Sequence, residues 1–90
     1  MNHIVMAKDR VLQEGRWKLV WRPTQNNAIV ELYDKEKDPI NRYNIARQNP
    51  RIVAHLGLKM LPFLEADGFN LPIFNRWKLI EERHGAPSLQ

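Results

Sequence analysis

The chain has 90 residues, with 14 Lys+Arg against 10 Asp+Glu, a net charge of +4, 43 % hydrophobic residues and no cysteine. That length holds one hydrophobic core and excludes a linked two-domain enzyme. Without thiols, disulfides, thiolate zinc sites and cysteine nucleophiles are excluded as well.

Taken in chain order, Asn2 to Glu14 carries two patterns. Ile4, Val5, Ala7, Val11 and Leu12 fall within one helical arc broken by Lys8, and this favours helix, with Gly15 as its stop. His3 to Ala7 is also rich in strand formers, but alternation breaks at Lys8-Asp9-Arg10. The apolar run at the start is short, has no small-residue cleavage site, and nowhere do about eighteen apolar residues follow one another. The expected location is cytoplasmic, with no membrane partner.

Gly15 to Arg22 alternates so that Trp17, Leu19 and Trp21 share one face. Beyond the turn-like Pro23-Thr24-Gln25-Asn26-Asn27, residues Ala28, Val30 and Leu32 alternate with Ile29, Glu31 and Tyr33, which predicts an antiparallel hairpin. A lone hairpin is marginal in water, so its tryptophan face requires helices to cover it. Asp38-Pro39 and Asn49-Pro50 each place a capping side chain before a first-turn proline, predicting helices over 39–48 and 50–56, the second stopped by Gly57. Leu58 to Ala66 is apolar but interrupted by Pro62, which predicts a short or broken helix ending at Asp67-Gly68. Pro72 to His84, with Ile73, Trp77 and Ile80 at helical spacing and Gly85 as stop, predicts the last helix. The expected fold is α+β: an antiparallel β-hairpin, three-stranded if the N-terminal segment joins it, covered by three to four short helices. Residues 1–85 would form the single domain and 86–90 a flexible tail.

The positive charge is localised. Residues 16–30 contain Arg16, Lys18 and Arg22 with no acid, and residues 39–64 contain Arg42, Arg47, Arg51 and Lys59 with no acid, whereas 31–38 and 65–67 are net acidic. Arginine forks match phosphate and base edges, so these seven side chains are the expected nucleic-acid contacts, the first three on the outer face of the strand. The ordinary alternative is a solvated basic face whose stems cover Val20, Ile29 and Tyr33. The helices flanking Asn49-Pro50 are too closely joined for a helix-turn-helix, which needs a turn of about three or four residues. Leu58, Met60, Leu61, Phe63 and Leu64 offer more apolar surface than one broken helix hides. They are the expected contacts of the alternative function: a protein-interaction module, an accessory or inhibitor protein acting on a larger assembly or a homodimer. Their competing role is the core itself.

Catalysis has little to work with. Thr24 is the single threonine and Ser88 the single serine, the four glycines are isolated, and no carboxylate pair is marked by spacing. His3, His55 and His84 are dispersed, and Glu81-x-x-His84 lacks the second half that such metal sites use. The sequence therefore predicts no catalytic residues, no metal and no cofactor, and a binding protein rather than an enzyme.

Overall fold

The computed structural model describes residues 9–89. Three strands, β1 (Arg10–Glu14), β2 (Trp17–Pro23) and β3 (Ala28–Asp34), form an antiparallel sheet in the order β1-β2-β3. Two helices follow, α1 (Pro50–Ala66) and α2 (Pro72–His84). The helical expectation for Asn2–Glu14 is corrected over Asp9–Glu14, where Arg10–Glu14 is strand and Asp9 precedes it without regular structure; residues 2–8 lie outside the described residues.

The alternation of β2 does what its spacing requires. Trp17, Leu19 and Trp21 are buried on one face and pair across the ladder with Asp34, Leu32 and Val30 of β3. Gly15 makes the β1–β2 turn with φ of 58°, a backbone region that glycine enters without steric cost. Both helices cover the tryptophan face. Phe69, Phe74 and Trp77 surround Trp21 with ring centroids 5.6, 5.7 and 6.0 Å away, in tilted or edge-on geometry that suits aromatic quadrupoles. Trp21 Nε1 is buried with no acceptor among the described residues.

Among the described residues two helices, not three or four, complete the domain. The segment expected to be helical over 39–48 is a looped connection. Asp38 is not an N-cap there: its carboxylate accepts the backbone N–H groups of Arg42 and Tyr43 at 2.8 and 2.9 Å, and Asn41 adopts φ of 55°. Further along, the Ile45 N–H donates to the Leu32 carbonyl and Asn44 Oδ1 accepts the Leu32 N–H, so this segment finishes part of the β3 edge.

The second correction is that α1 runs unbroken through Gly57 and Pro62. Val53, Gly57, Met60 and Leu64 recur every three or four residues and are all buried, together with Ala54, Leu56 and Leu61. Gly57 is not a stop. A Cβ at this position would stand 2.7 Å from Trp77 Cε3, so its missing side chain is the notch that lets α2 approach α1. Pro62 is exposed and costs one internal hydrogen bond, which burial on the opposite side of α1 offsets. The expected stop at Asp67-Gly68 is present: Gly68 has φ of 91°, and the Phe69 N–H returns to the Leu64 carbonyl. The α2 boundaries and its Gly85 terminus match the sequence reading. Beyond α2, the Leu89 carbonyl accepts Trp17 Nε1–H at 3.0 Å, and Leu89 packs on the core.

Candidate nucleic-acid interface

Ion pairing divides the seven basic side chains singled out by the sequence. Arg16 sits in the β1–β2 turn with its guanidinium on Asp34 in two-point contact, Nε to Oδ1 at 3.0 Å and Nη2 to Oδ2 at 2.7 Å. It also lies 5.4 Å over the Trp17 ring and 3.8 Å from Glu36. The expectation that Arg16 points outward with Lys18 and Arg22 is therefore corrected, because Asp34 folds it against the end of the sheet. Arg16 holds the Asp34 carboxyl below the usual carboxylate range, and burial partly opposes it. Arg22 does point outward, but it meets Asp9 at 2.6 Å and Glu31 at 3.3 Å. Lys59 pairs with Glu14 across the α1–β1 boundary.

The remaining four form no salt bridge among the described residues, although the Arg42 charge acts on the nearby Asp38 carboxylate. Lys18 stands on the outer sheet face. Arg42, Arg47 and Arg51 follow one another along the loop into the start of α1, all exposed. Arg51 Nη2 donates to the His84 carbonyl at 2.9 Å, which positions the guanidinium without neutralising it. Arg76, on α2, was missed by the sequence reading. Together with Arg47 it lines a cleft of about 330 Å³ whose apolar floor includes Val30, Ile73, Trp77 and Ile80. Helical periodicity alone could have placed Arg76 beside Ile73 and Trp77, but not opposite Arg47. Tyr43 is 66 % exposed beside Arg42, whereas the Tyr33 hydroxyl donates to Glu31 at 2.7 Å. At the start of α1 no side chain caps the helix and its first turn contains no acid, so its free N–H groups add to the positive field around Arg47 and Arg51.

The apolar candidates separate as sharply. Met60, Leu61 and Leu64 are buried in the core, and Leu58 is half-buried. Phe63 is 57 % exposed beneath the Arg10 guanidinium, whose centre lies 5.6 Å from the ring, and Arg10 in turn grips Asp67 at 2.8 and 3.0 Å. Glu81, weighed from sequence with His84, instead meets His55 Nδ1 at 3.0 Å, linking α2 to α1. Among the described residues no three His, Cys, Asp or Glu side chains converge as a metal site would need, and no helix is long and apolar enough to cross a membrane.

No protein-family model, curated protein or solved structure matches this chain.

Proposed function

We propose that the protein is a noncatalytic basic binding protein that holds the phosphate backbone of nucleic acid along Arg42, Arg47, Arg51 and Arg76. The observation that carries this reading is the asymmetry of ion pairing. Arg10, Arg16, Arg22 and Lys59 are bridged to carboxylates, while among the described residues these four arginines form no salt bridge, and they lie on the loop, helix start and cleft just described. Unpaired guanidinium groups can neutralise phosphates and release the counterions condensed on nucleic acid, and fork-like donors fit two phosphate oxygens at once. Tyr43 adds an exposed ring for stacking on an unpaired base.

The sheet face becomes secondary in this reading, with Lys18 its one unpaired contributor. Binding of short single- and double-stranded probes, followed by fluorescence anisotropy, tests the assignment. Affinity should fall steeply between about 50 and 200 mM salt, and Arg47→Ala with Arg76→Ala should lower the log–log salt slope by about two. Arg16→Ala with Arg22→Ala should leave the slope within about half a unit of wild type, since their charges are already compensated. Absence of binding to every probe at about 50 mM salt refutes the proposal.

A further inference from the structure

We infer that the β1 edge is an interface for a second copy of this chain, joined antiparallel about a twofold axis through Leu12 to give a continuous six-stranded sheet. Among the described residues β1 ends the sheet, and its ladder determines which backbone groups face outward. The Leu32 N–H and carbonyl face away from β2, toward Asn44 and Ile45. Strand alternation then assigns Lys18, Val20 and Arg22 to bonding with β3, and Trp17, Leu19 and Trp21 to bonding with β1. On β1 the partners of those three are Glu14, Leu12 and Arg10, so Val11 and Gln13 turn both backbone groups outward. Among the described residues nothing accepts or donates to them.

β1 has no proline, lysine or bulge to blunt this edge, its ladder to β2 is regular from Arg10 to Glu14, and its two charged side chains, Arg10 and Glu14, are already held by Asp67 and Lys59. Its order of side chains is instead self-complementary. Pairing about Leu12 places Arg10 opposite Glu14 of the second copy, so that the Arg10–Asp67 and Lys59–Glu14 pairs of the two chains join into one alternating network, with Val11 opposite Gln13 and Leu12 opposite itself. The outward groups of Val11 and Gln13 then exchange about four hydrogen bonds. Sliding the register by two residues either way sets Arg10 or Glu14 against Leu12, losing both charge pairs. A one-residue slide would face bonded groups against inward ones.

α1 points to the same axis. It runs antiparallel to β1, with Lys59 on Glu14 and Asp67 reached by Arg10, so Phe63 lies midway, level with Leu12. Phe63 is 57 % exposed and Val11 55 %, and with Leu12, Lys59 and Met60 they line a cleft of about 380 Å³ along this edge. The twofold brings the two Phe63 rings together there and covers both. This inference is independent of the nucleic-acid reading, whose cleft lies beside β3 at the opposite sheet edge.

Sedimentation velocity of the full chain over about 1 to 200 μM tests it, with a dimer near 21 kDa, twice the 10.7 kDa chain, as the expected result. Phe63→Glu puts two carboxylates at the axis and should weaken dimerisation by roughly tenfold or more while thermal unfolding shows a folded monomer. Gln13→Pro removes only an outward N–H and should do the same. Because the chain has no other thiol, Leu12→Cys should cross-link to itself on mild oxidation, whereas Val11→Cys and Gln13→Cys should not. A wild-type monomer at the top of the range, a dimer unaffected by Phe63→Glu, or self-cross-linking through Val11→Cys or Gln13→Cys overturns the inference.

Discussion

Gly57→Ala separates two opposed physical effects by the sign of its outcome. In an exposed helix interior this substitution stabilises by about 1 kcal/mol, because alanine loses less backbone freedom on folding. Here the new Cβ would stand 2.7 Å from Trp77 Cε3 and 2.8 Å from Cδ2 and Cζ3, roughly 0.7 Å inside the separation of about 3.5 Å that two carbon atoms accept. The ring cannot swing away easily. It is 2 % exposed, with Phe74 at 5.5 Å and Trp21 at 6.0 Å between centroids. Relief requires α2 to retreat from α1, which places the cost at the upper end of the overpacking range, about 3 kcal/mol. Net destabilisation is then about 2 kcal/mol, a fall in Tm of roughly 8 to 16 °C for a domain of this size. Thermal unfolding followed by tryptophan fluorescence measures it. In a Trp77→Leu background, which removes the obstructing ring, the same substitution should be neutral or stabilising, giving a coupling of about 2 to 3 kcal/mol in the double-mutant cycle. A Gly57→Ala protein as stable as wild type, or a coupling near zero, refutes the notch.

Other expectations follow from the same packing and charge geometry. Leu64→Ala, at a fully buried position, should cost about 2 to 5 kcal/mol by urea titration, and a loss below about 1 kcal/mol would contradict its place in the core. Asp34, Asp38 and Asp67 are held below the ordinary carboxylate range, the first by Arg16, the second by the Arg42 and Tyr43 N–H groups, and the third by Arg10. Their folded forms bind protons less tightly than the unfolded chain. The stabilisation they supply is therefore complete above the unfolded carboxyl pKa of about 4 and is lost as pH falls through the lower folded values. Urea midpoints should drop on acidification below about pH 4, and Asp34→Asn should flatten that dependence; a midpoint constant down to about pH 2.5 would contradict the pairing. Asp38→Ala should raise amide hydrogen exchange at Arg42 and Tyr43, whose N–H groups lose their acceptor, while exchange at the buried centre of α1 stays slow.

Legibility in the sequence followed the range of the interaction. β2, β3 and α2 were readable because period-two or period-3.6 burial repeats within each segment and the turn residues sit beside it. The Asp38-Pro39 signal failed because a carboxylate able to cap a helix also accepts N–H groups in a loop, and the open edge at Leu32 competes for Asn44 and Ile45. Gly57 failed for the complementary reason. The missing Cβ that ends many helices is equally what a close-packed helix pair requires, and only the neighbouring Trp77 distinguishes the two. The candidate site divides in the same way. The excess of arginine is visible in the residues, but its cancellation is not, since Arg16 meets Asp34 across 18 positions, Lys59 meets Glu14 across 45, and Arg10 meets Asp67 across 57.

The sequence by itself determined an α+β domain with a tryptophan-faced antiparallel hairpin, a helix beginning at Pro72 and a concentration of positive charge in two stretches. These are local periodicities and counts, independent of what lies opposite. Tertiary structure alone decided that β1 is a strand at the sheet edge of the described residues, that α1 continues through a glycine and a proline, and which arginines meet a carboxylate. Each of those outcomes is a competition between groups distant in the chain, for a ladder partner, a packing notch or a carboxylate. Such competitions are settled only when folding brings the groups within contact distance.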